Sequence, residues 1–69
     1  MARLRRFEGH RYLGRRDQMV FYDTDADDQA TELAEADRTL DLTGHNLLQA
    51  FAPDTPAEAR NRGFRPWAN

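Results

Sequence analysis

The sequence predicts a small α+β fold. An N-terminal antiparallel β-hairpin leads into an acidic amphipathic helix, a short strand (or short helix) and a capped C-terminal helix. The helices are expected on one face of the sheet. Three observations carry this. Met19-Val20-Phe21-Tyr22 is a run of strand-prone apolar residues feeding directly into Asp23-Thr24-Asp25-Ala26-Asp27-Asp28, whose short oxygen-bearing side chains suit the first turn of a helix. From Ala26 onward apolar residues recur at helical spacing. Thr55-Pro56-Ala57-Glu58 then forms a capping box with proline at the first helical position.

Taken in order, residues 3–8 (Arg-Leu-Arg-Arg-Phe-Glu) loosely alternate charged and apolar side chains, as an extended arm or short edge strand would. His10-Arg11-Tyr12-Leu13 is β-prone, and Gly14-Arg15-Arg16-Asp17 is a Gly-led turn signal before the next apolar run. Closing the hairpin there sets Tyr12 opposite Met19 and His10 opposite Phe21, on a face expected to be core. In the acidic helix, Ala30, Leu33, Ala34, Ala36 and Leu40 form the apolar stripe, Thr24 is the expected N-cap, and the end falls near Asp37–Leu40.

Residues 39–52 read less sharply. Leu47, Leu48 and Phe51 have helical spacing, whereas a short apolar run stopped by Pro53 is typical of a buried strand. An echo between Phe51–Ala57 and Phe21–Ala26 favours the strand. The last helix spans about Pro56–Arg62 and stops at Gly63; residues 64–69 are expected to be an extended tail.

Sixty-nine residues make a single domain, 1–69, with a core that is small by area arguments, so a partner or a second copy is an expected source of further burial. The absence of cysteine excludes disulfides, thiolate metal sites and thiol catalysis. Residues 1–16 are Arg-rich and lack the apolar segment of an export signal. No apolar run approaches the roughly 18 residues of a membrane span. A cytoplasmic protein without a membrane partner is expected. All ten basic residues are arginine, the mark of GC-rich coding of the kind found in actinobacteria and their phages.

Charge is unevenly laid out. Residues 1–16 carry six arginines against Glu8, residues 17–54 carry ten carboxylates against Arg38, and residues 55–69 carry three arginines against Glu58. In the cluster Asp23, Asp25, Asp27 and Asp28, the first three have the alternate spacing of a calcium loop. However, its sixth position holds Asp28 where glycine belongs, and its twelfth holds Ala34 where glutamate belongs. A helix start accounts for them better. An apolar strand followed by Asp-x-Asp, here Asp23-Thr24-Asp25, resembles the first motif of haloacid-dehalogenase-type phosphatases. The resemblance covers residues 19–25 alone, and a chain of this length has no room for the doubly wound sheet it implies, so no catalytic role is carried over.

There is no serine, His10 and His45 read as a sheet-edge and a turn residue, and the four glycines are scattered, so no catalytic residue, metal ligand or cofactor is expected. The expectation is a non-enzymatic binding or regulatory protein that docks on a protein partner. Its candidate contact residues are Arg11, Arg15 and Arg16 on the hairpin; Asp25, Asp27, Asp28, Glu32 and Glu35 on the acidic helix; and Phe64, Arg65 and Trp67 in the tail. The tail aromatics are as readily core as anchor. The alternative is a nucleic-acid-binding regulator using the Arg-rich hairpin, whose arginines are interleaved with Phe7 and Tyr12.

Overall fold

A computed structural model describes residues 9–68; the expected N-terminal arm, residues 1–8, lies outside the described residues. The elements are β1 (Tyr12–Arg15), β2 (Val20–Asp23), α1 (Asp27–Leu40), β3 (Leu48–Ala50), α2 (Pro56–Asn61) and β4 (Arg65–Pro66). They form the predicted small α+β domain. The sheet has the order β3-β1-β2-β4, with β1 antiparallel to both β2 and β3, and β4 parallel to β2. The ambiguous segment is therefore a strand, and residues 65–66 of the expected tail pair as a fourth one.

The hairpin register differs from the expectation. Tyr12 lies opposite Asp23 and Gly14 opposite Phe21, so the loop is Arg16–Met19 and Gly14 sits inside β1. The cause is packing. A Cβ at Gly14 would lie 2.6 Å from Phe64 Cε2 and 2.8 Å from Phe51 Cζ. The glycine is needed where two rings press on the strand, not where the chain turns. Met19 instead takes the left-handed conformation (φ 54°) at the end of the loop and is exposed.

A second correction concerns the helices, which lie on opposite faces of the sheet. Side chains alternate along a strand, so Val20 and Tyr22 point one way and Phe21 the other. Leu13, Val20, Tyr22 and Leu48 pack with Leu33 of α1 and with Leu42; Phe21 packs with Phe51, Phe64 and Ala59 of α2. Burial on both faces explains why β2 reads as a continuous apolar run, since an exposed face would have required alternation.

The ends of α1 also depart from the simple reading. Its N-cap position is Ala26, without a side-chain hydrogen bond. Thr24 is buried instead, and its hydroxyl donates to the carbonyls of Arg11 (2.7 Å) and His10 (3.0 Å), tying the end of β2 to the strand beside it. The helix ends at Leu40 as predicted, through Asp41 in the left-handed conformation (φ 53°). Leu40 itself is exposed, while Leu42 just beyond the helix is fully buried.

α2 starts and stops where its sequence signals place it, but the reciprocal half of the capping box does not form: Glu58 Oε2 accepts from Arg62 Nε at 2.7 Å, and the Thr55 amide donates to the Pro53 carbonyl. Thr55 Oγ1 accepts from the Glu58 amide at 3.2 Å, and Pro56 opens the helix. At its end the Gly63 amide donates to Arg60 and the Phe64 amide to Ala59, with Gly63 at φ 89°. This is the paired C-terminal bonding that folds the next apolar residue back onto the helix. Phe64 is thereby delivered to the core, edge-on to Phe51 at 5.2 Å.

Candidate functional site

The outer face of α1 collects carboxylates because the sequence places them a half-turn from the apolar stripe. Ala30 and Leu33 are buried, whereas Asp28, Glu32 and Glu35 are exposed on the far side and Asp27 is exposed beside the apolar stripe. Asp28, Glu32 and Glu35 follow one another at four- and three-residue steps, which stacks them along one line. Arg38, the one basic residue in α1, is ion-paired with Glu35. Asp27 and Asp28 also lie in the first turn, where the helix dipole favours negative charge.

Asp25 belongs to a different group. Arg11 donates from its guanidinium to both carboxylate oxygens of Asp23 at 3.0 and 3.1 Å, and its Nε lies 3.4 Å from Asp25 Oδ2. The hydrogen bond and charge of Asp23 raise the Arg11 pKa beyond the ordinary arginine range. An upward shift on a cation adds stability that is full below its ordinary value and is lost only as pH rises beyond that, so this pair stays intact through neutral pH. Two of the carboxylates that suggested a calcium loop are thus held by an arginine. Among the described residues no three His, Asp or Glu side chains gather in a way that could hold a metal ion, and no pocket is present.

The arginines of the hairpin are not a free basic patch. Arg15 is buried, with its Nε 2.7 Å from Asp17 Oδ1, and this hydrogen bond raises its pKa against the opposing effect of burial. Arg16 is exposed but bonds Gln49 Oε1 at 3.2 Å and the Asn46 carbonyl at 3.4 Å. Both arginines are structural cross-ties between the loop and its neighbours.

In the tail, Phe64 is buried in the aromatic core and is removed from the accessible set. Trp67 is half-buried and stacks on Tyr22, with centroids 5.7 Å apart and planes at 23°. Its amide donates to Phe21 at 2.9 Å. Arg65 is exposed. Of the eleven candidates, the structure brings together Asp27, Asp28, Glu32 and Glu35, and sets Arg11 with Asp25 at the end of the hairpin; Arg65 and Trp67 lie on the β4 edge.

Asp54 had no role in the sequence reading, yet its two oxygens accept from the amides of Arg11 (2.6 Å) and Tyr12 (2.9 Å). It stands in for a strand at the start of β1 and positions Arg11. Asp before a Thr-Pro helix start is a turn-forming residue, and that was the available signal. No helix among the described residues is long and apolar enough to cross a membrane. Compared with known proteins, the chain matches no family model, no curated protein and no solved structure.

Proposed function

We propose that this protein is a small non-catalytic docking module, and that the outer face of α1 is the surface it presents to a basic site on a partner protein. One observation supports this most: Asp28, Glu32 and Glu35 stand exposed on the side of α1 away from Ala30 and Leu33, with Asp27 exposed beside them and Arg38 the single counter-charge on the helix. Unbalanced charge of one sign on a rigid helix steers association and selects partners of opposite sign. Arg11 and Arg15 lie against Asp23 and Asp17, and Arg16 bonds Gln49, which favours this reading over nucleic-acid binding through the hairpin.

The test is affinity capture at low salt from nuclease-treated lysate, with the wild-type chain and the triple variant Asp28→Asn, Glu32→Gln, Glu35→Gln. A protein retained by the former and lost by the latter is expected, with retention falling as salt rises. Capture that survives neutralisation, or that disappears on nuclease treatment, overturns the proposal.

A further inference from the structure

The two edges of the described sheet are closed off differently, and the difference points to a second interaction surface. On β4, the amides of Arg65 and Trp67 donate to Met19 and Phe21 at 2.8 and 2.9 Å, so the residue between them presents its backbone outward. That residue is Pro66, which has no N–H to offer, and proline is a common device for keeping an edge from pairing. β3 has no such device. The Arg16 amide donates to the Leu47 carbonyl at 2.8 Å, in register with the β1–β3 ladder. Alternation along that ladder turns the N–H and C=O of Leu48 and Ala50 away from β1. Residues 47–52, Leu-Leu-Gln-Ala-Phe-Ala, contain neither a charge nor a proline.

We propose that this edge pairs with the same edge of a second copy, antiparallel about a two-fold axis at Gln49, so that two four-stranded sheets become one. The register is self-complementary. Pairing about Gln49 places Leu48 of each copy opposite Ala50 of the other, so all the outward backbone groups of both residues are used at once. It also sets a large side chain against a small one on the face that carries the α1 core, where Leu48 is buried and Ala50 half-buried. The antiparallel arrangement brings the Arg16 and His45 end of one β3 toward the Asp54 end of the other.

The acidic helices do not oppose this contact. α1 packs over β2, two strands in from β3, so the two α1 helices stand five strand spacings apart, on the order of 24 Å. That is well beyond the Debye length of about 8 Å at physiological salt. The outer face of α1 stays exposed in such a dimer, so this inference stands independently of the docking function above. A second copy is favoured over a foreign strand because the register matches itself and needs no charged partner.

Sedimentation equilibrium of the full chain tests it directly. The expected species has twice the 8.0 kDa chain mass, with the dimer fraction rising with concentration. Ala50→Pro deletes an amide that β1 does not use and is expected to leave a monomer with an unchanged circular dichroism spectrum. Because the chain has no cysteine, Gln49→Cys provides a register-specific readout even if the proline variant fails to fold. Directly opposed residues in this kind of pair have Cα atoms about 4.5 Å apart, within disulfide reach, so oxidation is expected to give one covalent dimer. Ala50→Cys, opposite Leu48 of the other copy, is expected to give far less. A wild-type monomer at millimolar concentration overturns the proposal. Equal cross-linking at 49 and 50, or a folded Ala50→Pro variant that still dimerises, overturns it as well.

Discussion

The two faces of the sheet are held by different means. On one, the fourteen-residue helix α1 lays Leu33 and Ala36 over Leu13, Val20 and Tyr22, and Trp67 completes the cover by stacking on Tyr22. On the other, a six-residue helix contributes little but Ala59, and the cover is made by Phe51 and Phe64 seated on the bare backbone of Gly14, in one cluster with Phe21. A long helix buries its stripe by repetition, so one lost contact leaves others. The aromatic face depends on a few large rings fitted to a single glycine, so each position there carries more of the burden.

That contrast makes the two faces separable by mutation. Phe64→Ala removes a fully enclosed ring and is expected to cost about 4 kcal/mol. A domain of this size draws only about 3–5 kcal/mol from its core, so thermal denaturation should show a chain largely unfolded at room temperature. Leu33→Ala on the helical face is expected to cost about 3 kcal/mol and to leave a measurable folded population. If Leu33→Ala proves the more damaging, the contrast between the faces is reversed.

Gly14→Ala sharpens the same point, because it adds one methyl group where none fits. The new carbon meets ring atoms of Phe64 and Phe51 at 2.6 and 2.8 Å, and the expected destabilisation is about 2 kcal/mol by urea titration. A neutral or stabilising result would mean that Gly14 lies in a turn, as the sequence pattern suggested. Thr55→Ala should be milder, costing about 1 kcal/mol through loss of the cap on the Glu58 amide. The loss is expected to be confined to hydrogen exchange in α2 and Phe64, with α1 unaffected.

The uneven legibility of the sequence follows from the same contrast. α1 and its charged outer face were readable because periodicity is a local signal, repeated over four turns. The α2 boundaries were readable because Thr55, Pro56 and Gly63 each have a specific backbone job. The aromatic face was not readable, since Gly14, Phe21, Phe51, Ala59 and Phe64 have no common period and meet only in three dimensions. For want of that contact Gly14 looked like a turn residue, which displaced the hairpin register and placed both helices on one face. The candidate site divided along the same line. The α1 carboxylates are where helical geometry puts them, whereas the fates of Arg11 and Arg15 depended on Asp23, Asp54 and Asp17, whose partnerships no pattern announces.

The claim on which the rest depends is that the sheet is covered on both sides, with the Phe64 ring over Gly14 and Leu33 beneath the opposite surface. Proton–proton Overhauser contacts in solution test it most directly. Strong contacts from the Gly14 Hα protons to the rings of Phe64 and Phe51, with none from Phe64 to the Leu33 methyls, are predicted. Contacts between Phe64 and Leu33, with Gly14 distant from both rings, would contradict it and place both helices on one side.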